Sequence, residues 1–143
     1  MSDMTGIIIY GYGKDESEEI RKFIEATLDK SISMQSAGGL EDIVLEEIIE
    51  RGLKGNFDTQ QETFMILIGM DTQDIRKILK IFPSNIRRPI FCGLTEHNVK
   101  WQFSYLMKHL LEEEEQYQKM RKEVKRKNAG VEVRSEEAVN GGE

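Results

Sequence analysis

Ile7-Ile8-Ile9-Tyr10-Gly11 occurs a second time, with small changes, as Met65-Ile66-Leu67-Ile68-Gly69. In both places the apolar run ends in glycine, and a charged turn separates it from a helical pattern that contains Ile-Arg-Lys. Short apolar runs that end in glycine indicate buried strands, and strands that alternate with helices are typical of a parallel sheet covered by helices. The sequence therefore predicts an internal repeat of roughly 55–58 residues, built as strand, glycine and helix.

The predicted fold is α/β, with a mainly parallel four-stranded sheet made by two β-α-β-α halves, at about residues 6–52 and 62–112. Residues 31–37 form an edge strand in this prediction, because Ile32 and Met34 alternate with serines. The four predicted strands are residues 6–11, 31–37, 64–68 and 90–92. The predicted helices are residues 15–28, 40–51 and 72–82, and a long helix that starts near Thr95.

The last helix changes character at Glu112. An acidic block, Glu112–Glu115, precedes a basic block between Lys119 and Lys127, and a thin apolar seam of Tyr117, Met120 and Val124 continues through both. Pairs of opposite charge four residues apart support an exposed helix. We expect one domain over residues 1–127, with the helical extension at 112–127, and the composition of residues 128–143 is typical of a disordered tail.

This extension is a candidate interface. Acidic and basic blocks complement each other when two copies run antiparallel, and the seam supplies apolar contacts. The sequence thus predicts a homo-oligomer that self-associates through residues 103–127. Two alternatives stay open, a solvated helix held only by its own ion pairs and a basic surface for an acidic partner or nucleic acid.

Composition excludes several classes of protein. A net charge of -6 over 143 residues disfavours general nucleic-acid binding, which needs a basic surface. No apolar run approaches the roughly 20 residues that cross a bilayer, and the N-terminus lacks the basic and apolar regions of a signal peptide. A single cysteine, Cys92, rules out an intrachain disulfide. We expect a cytoplasmic protein with no membrane association and no cofactor.

Glycines follow each predicted strand and precede each helix. In open α/β sheets ligands bind beyond the carboxyl ends of the strands, so four such turns on one edge would form a site for a small, anionic ligand. The alternative is that short turns need glycine for backbone reasons. Gly11-Tyr12-Gly13-Lys14 lacks the spacing of a phosphate loop. The candidate ligand-binding residues are Gly11, Gly13, Lys14, Gly39, Gly69, Gly93, Thr95 and Asn98.

Cys92 and His97 form a weaker candidate catalytic pair near the end of the fourth strand. A helix N-terminus and an imidazole could activate the thiol. Against this, Cys92 lies in an apolar strand, where cysteine is usually an inert core residue. His97 and His109 are twelve residues apart on the predicted helix, too far to share a metal ion, and we predict no metal site.

The stretch from Pro89 to Trp101, followed by an amphipathic helix that ends in glutamates, resembles a small prokaryotic family classed only as a domain of unknown function. The shared pattern is a proline-led apolar strand and Thr-x-x-Asn-x-x-Trp, here Thr95, Asn98 and Trp101. Glu96 stands where members often have proline. The resemblance covers about residues 62–115 and implies no activity. From the residues alone, Thr95 is expected to accept a hydrogen bond from the Asn98 amide, and Trp101 to pack on the sheet.

Two hypotheses follow. The first is a non-enzymatic interaction or small-ligand-binding module that oligomerises through the last helix. The alternative is a small enzyme that uses Cys92 and His97 with an anion cradle at Gly11–Lys14.

Overall fold

Four strands form one mixed sheet in the computed structural model, which describes residues 5–135 and, among these, the side chains up to residue 124. The elements in chain order are β1 (Gly6–Tyr10), α1 (Lys14–Leu28), β2 (Ser33–Ser36), α2 (Leu45–Glu50), β3 (Phe64–Ile68), α3 (Thr72–Ile81), β4 (Ile90–Gly93), a 3₁₀ turn (Asn98–Lys100) and α4 (Phe103–Ser135). The α/β class and the positions of the four strands are as predicted.

The strand order is β2-β1-β3-β4. The outer pairs, β1 with β2 and β3 with β4, are parallel, whereas β1 and β3 at the centre are antiparallel, with Ile8 opposite Ile66. The prediction of a mainly parallel sheet is therefore wrong. The prediction that residues 31–37 supply an edge strand is confirmed, since β2 is the outermost strand on its side. The internal repeat stays a prediction.

The short α2 accounts for the antiparallel centre. Its six residues rise about 9 Å, whereas a five-residue strand such as β1 extends about 16 Å. Because α2 cannot carry the chain back along a strand, β3 enters the sheet at the end where β2 leaves it. Residues 51–63, which we call the joint segment, make this connection along the end of the sheet.

Helices cover both faces of the sheet. One face packs on α1 and α3 in a cluster that includes Ile7, Ile9, Met65, Leu67, Ile20, Ile24 and Ile78. The other face carries Ile8, Ile66 and Tyr10, and the Tyr10 ring lies 5.6 Å from that of Phe103, in the first turn of α4. Gln35 on the same face donates through Nε2 to the Ile48 carbonyl oxygen of α2, at 2.9 Å. These contacts fix α2 and the beginning of α4 to the second face.

Two helices begin later than predicted. Helix α2 starts at Leu45 instead of residue 40, because residues 37–44 form turns, one of them through Gly39 at φ +83°. Helix α4 starts at Phe103 instead of near Thr95, because a separate 3₁₀ turn precedes it and Trp101 is extended. Helix α3 is capped by Asp71, whose carboxylate accepts from the Asp74 N–H at 2.8 Å.

The chain divides into two compact units, Met1–Met107 and Lys108–Glu143. The first contains the sheet and α1 to α3, and the second contains α4 from Lys108 onward. Helix α4 continues to Ser135, and residues 136–143 lie outside the described part. The disordered tail over residues 128–143 stays a prediction. The domain boundary at residue 127 stays a prediction.

Candidate functional site

The carboxyl ends of the strands lie at two opposite ends of the sheet. Because β1 and β3 are antiparallel, the turns after β1 and β2 share one end, and the turns after β3 and β4 share the other. The β1–β2 end carries Gly11, Gly13, Lys14 and Gly39. The β3–β4 end carries Gly69, Gly93, Thr95 and Asn98. The expectation that all four turns meet at one edge is therefore wrong, and the ligand-binding roles stay predictions.

Both ends have the geometry that opens a crevice in α/β sheets. The chain leaves β1 toward α1 on one face and β2 toward α2 on the other, and β3 and β4 diverge in the same way toward α3 and α4. Ligands bind where neighbouring connections diverge like this. The two ends must therefore be compared by what each crevice contains.

At the β1–β2 end the joint segment fills the crevice. The Gly55 N–H donates to the Ser36 carbonyl at 2.9 Å, and the Asn56 N–H donates to the Gly38 carbonyl at the same distance. Farther along, the Gln60 N–H donates to the Gly11 carbonyl at 3.0 Å. Three backbone carbonyls at the ends of β1 and β2 are thus already bonded to the joint segment.

Gly11 fits this arrangement only as glycine. Its φ is +91°, a conformation that side chains with a Cβ rarely adopt, and a Cβ there would lie 2.3 Å from the Glu62 carbonyl oxygen. The joint segment therefore passes directly over the first turn.

Arg87 fastens the joint segment to the turn. Its Nη2 donates to the Gly11 carbonyl at 2.5 Å and its Nη1 to the Gln60 carbonyl at 2.6 Å. The Tyr12 hydroxyl donates to the Arg87 carbonyl at 2.6 Å, and the guanidinium carbon lies 5.2 Å from the Tyr12 ring centre. A planar guanidinium can donate to several carbonyls at once, which suits it to hold three segments together.

The predicted anion cradle already contains a carboxylate of the chain. Glu16 in the first turn of α1 accepts from the Gly13 N–H at 3.3 Å and from Nη2 of Arg87 at 3.2 Å. A carboxylate at a helix N-terminus satisfies the free amides and the positive end of the helix dipole. Lys14 is exposed. Glu16 therefore takes the place that a phosphate would need.

Two tyrosines at this end have raised pKa values. Burial raises the pKa of Tyr12 to about 12. Burial also raises the pKa of Tyr10, and its hydrogen bond to Glu41, at 3.0 Å, adds to the effect. For Glu41, burial alone would raise the pKa, but hydrogen bonds from backbone N–H groups, including that of Gly39, and from Tyr10 outweigh it and lower the pKa. Glu41 precedes α2 and ties β1 to the Gly39 turn.

The β3–β4 end contains a closed polar turn. The Thr95 hydroxyl accepts from the Asn98 N–H at 3.0 Å, as predicted, and the Asn98 side-chain oxygen accepts from the Thr95 N–H at 2.9 Å. Asn98 is buried, and its Nδ2 donates to the Gly93 carbonyl at 3.0 Å. Asn98 is thus engaged in the backbone of the turn.

Space remains beside this turn. A Cβ added at Gly93 would meet no atom within 4 Å, whereas one at Gly38, after β2, would lie 2.3 Å from the side-chain oxygen of Asn56. Gly69 is exposed, at the start of the turn that leads to α3. The β3–β4 crevice is therefore the more open of the two.

The structure does not join Cys92 and His97 to the anion cradle. The half-buried Cys92 lies in β4, opposite Ile66 of β3. Nδ2 of Asn98 donates to the Cys92 sulfur at 3.5 Å. His97 is exposed in the turn after β4, whereas Gly11–Lys14 lie at the opposite end of the sheet. Among the side chains that the structure describes, residues 5–124, no three of His, Cys, Asp or Glu are grouped so that they could hold a metal ion.

Sequence reasoning missed the contacts of Glu16, Glu41, Arg87 and the joint segment. Arg87 and Glu16 are 71 residues apart, so no local pattern links them. The position of Glu16 was the one available signal, because a glutamate three residues after the N-cap commonly binds back to the cap N–H.

Helix α4 presents an apolar seam to solvent. Tyr117, Met120 and Val124 are 56%, 63% and 53% exposed. The guanidinium of Arg121 lies 5.8 Å from the Tyr117 ring centre. None of the helices within the described residues combines the length and apolar character that crossing a bilayer requires.

Residues 63–117 match a family described as Domain of unknown function (DUF3783). The match begins just before β3, ends within α4 and covers almost the same residues as the resemblance found in the sequence. The chain is thus similar to an uncharacterised domain family over this part, while the prokaryotic origin and the motif remain predictions. Comparison with curated proteins and with solved structures gave no match.

Proposed function

We propose that the protein is a non-enzymatic interaction module that self-associates through α4, within residues 103–127. The observation that carries the proposal is the exposed seam of Tyr117, Met120 and Val124. Contiguous apolar side chains rimmed by polar residues are typical of protein–protein contact sites. The seam lies on a helix whose charges change from acidic to basic along its length, which suits a second copy of the same helix.

The spacing of the seam supports a helical partner. Its residues are separated by three and then four positions, so they form one stripe along the helix. Three apolar residues per copy bury little surface, and interfaces of this size are weak and transient. We therefore expect a dimer that dissociates on dilution. A cytoplasmic location is part of the proposal.

Sedimentation velocity across a concentration series tests the proposal. Met120→Glu places a carboxylate in the seam and is expected to leave only monomer. Lys122→Glu places a carboxylate on the outer face of the same helix, away from the seam, and should associate like the wild type. A wild-type protein that stays monomeric at all concentrations, or two variants that behave alike, would contradict the proposal.

A second candidate is a small-ligand site in the β3–β4 crevice. The open space at Gly93 supports it, together with the divergence of α3 and α4 from neighbouring strands. Native mass spectrometry of freshly purified protein would show a retained molecule as added mass. Gly93→Leu should abolish this added mass while Lys14→Leu, at the β1–β2 end, keeps it. Wild-type protein that carries no added mass would count against this site.

The enzyme alternative has less support. Its cradle at Gly11–Lys14 contains the chain's own carboxylate, Glu16, and Cys92 lies at a distance from it on the sheet. We therefore place the interaction module first.

A further inference from the structure

The seam of α4 has the periodicity of a coiled coil. Tyr117, Met120 and Val124 occupy successive a, d and a positions of a heptad, and Glu113 then falls at the preceding d position. The residues that flank such a stripe decide the orientation and register of the pair. The e positions, which directly follow the d positions, are occupied by Glu114 and Arg121, and both side chains are exposed.

We infer, on the basis of the proposed self-association, that two copies of α4 pair antiparallel in a single register. In this register Tyr117 packs on Met120 of the partner subunit, and Met120 packs on the partner's Tyr117. Val124 then lies over the partner's Glu113, whose methylene groups can cover it. The two-fold axis passes between residues 118 and 119.

A parallel pair is disfavoured by the acidic block. In a parallel, in-register pair, Glu113 would face Glu113 of the partner subunit within the seam. Two carboxylates in direct opposition repel each other, and the neighbouring blocks of like charge would lie side by side. The antiparallel arrangement instead brings the acidic block of each copy toward the basic block of the other.

Among antiparallel registers, the flanking charges select one. In an antiparallel pair the e positions of one helix lie beside the e positions of the other. The inferred register therefore places Glu114 beside the partner's Arg121, and this contact occurs twice per dimer. A shift of one heptad in one direction places Arg121 beside the partner's Arg121. A shift in the other direction places Glu114 beside the partner's Glu114. Opposite charges meet only in the inferred register.

The side chains already lie where this pairing needs them. Arg121 is beside the seam, since its guanidinium carbon is 5.8 Å from the Tyr117 ring centre. Glu114 accepts from Nε2 of Gln118 at 3.0 Å, on the same helix. Because both are exposed, each ion pair adds little affinity, but like charges in the same place would oppose pairing.

Charge exchange tests the register. Glu114→Arg and Arg121→Glu each place like charges across the pair, and each is expected to weaken the dimer about tenfold. An equimolar mixture of the two variants should form a heterodimer about as tight as the wild-type dimer, because both cross-pairs are then of opposite sign. The double variant should recover for the same reason.

Matched controls exchange charges on the outer face of α4. Glu115→Arg and Lys122→Glu change the same charges at the same separation of seven residues, but they point away from the partner. These controls should dimerise like the wild type, with equal helix content by circular dichroism. A monomeric wild type would overturn the proposed function itself. A wild-type dimer that Glu114→Arg and Arg121→Glu leave unchanged, with no gain on mixing, would overturn only the register.

Discussion

The two ends of the sheet are built from the same local parts and differ in what fills them. At the β1–β2 end the joint segment lies in the crevice, and Arg87 and Glu16 bind the first turn. At the β3–β4 end the turn from Thr95 to Asn98 is bonded within itself, and space remains at Gly93. The same strand–glycine–helix pattern thus produces one closed crevice and one open crevice.

The connection after each parallel pair makes this difference. After β2 the chain must reach β3 along the end of the sheet, so the joint segment passes through the crevice. After β4 the chain enters the 3₁₀ turn and then α4, so no such segment follows β4 within residues 94–107. A glycine-rich strand end therefore indicates where a crevice forms, but the connection that follows decides whether the crevice is available to a ligand.

We expect the largest loss of stability from a substitution that displaces the joint segment. A Cβ at Gly55 would lie 2.3 Å from the Gly38 carbonyl oxygen and 2.6 Å from that of Ser36. Gly55→Ala should therefore lower the free energy of unfolding by about 2–4 kcal/mol, through overpacking and the weakened hydrogen bond to Ser36. Urea denaturation measures the change.

Gly93→Ala is the matched control at the other end. Its added methyl group meets no atom within 4 Å, so the expected change is within about 0.5 kcal/mol. Equal effects of the two substitutions would show that the two crevices do not differ in packing.

The next largest effect concerns the polar turn of the β3–β4 end. Asn98→Ala removes the partner of the Thr95 N–H and of the Gly93 carbonyl, and Asn98 is buried. Unpaired buried polar groups are costly, so we expect a loss of about 2–3 kcal/mol in urea denaturation. Thr95→Ala removes a single hydroxyl acceptor and should cost about 1 kcal/mol. If Asn98→Ala proved the milder of the two, the turn would not depend on the amide.

Alkaline pH should act on the closed end. The pKa of Tyr12 is about 12 in the folded chain against an ordinary value of 10.0. Between these values the unfolded chain loses the proton and the folded chain keeps it, so stability falls as pH rises, by about 2 kcal/mol near pH 12. Thermal unfolding measured from pH 8 to 11.5 would follow this loss.

Tyr12→Phe should remove most of this fall in stability at alkaline pH. A smaller fall should remain, because the pKa of Tyr10 is also raised. A slope that survives Tyr12→Phe unchanged would assign the effect to other groups.

The elements of the fold could be predicted from the sequence because their signals are local. The apolar runs of β1 and β3 and the edge character of β2 each depend on residues close together in the chain. The direction of β3 could not be predicted in this way. It follows from the shortness of α2, and the turns of residues 37–44 that shorten it are held in part by Trp101 and Gln102, far along the chain.

The candidate site could be predicted only in part, for the same reason. The glycines and the Thr95–Asn98 hydrogen bond were found, because turn chemistry is local. Their division between two ends of the sheet depends on strand direction, and the filling of one crevice depends on Arg87, whose partners lie more than twenty residues away. The seam of α4 was visible because helical periodicity is local and its exposure follows from the charges around it.

The smallest predicted loss of stability concerns two adjacent arginines, Arg87 and Arg88, which have different contacts. Arg87 donates to the carbonyls of Gly11 and Gln60, whereas exposed Arg88 donates to the Leu79 carbonyl and lies over the Phe82 and Phe91 rings. Arg87→Met should cost about 1–2 kcal/mol in urea denaturation, because two carbonyls lose charged donors. The Arg87–Glu16 ion pair, at 3.2 Å, adds little, since both side chains are more than a third exposed.

Arg88→Met keeps the apolar contact with the rings and should cost less than about 1 kcal/mol. Hydrogen exchange gives the sharper distinction, because Arg87→Met should speed exchange of the Gln60 and Gly13 amides and leave that of Asn98 unchanged. If Arg87→Met instead increased exchange equally at both ends of the sheet, the joint segment would not be held locally, and the closed end would owe its stability to the sheet as a whole.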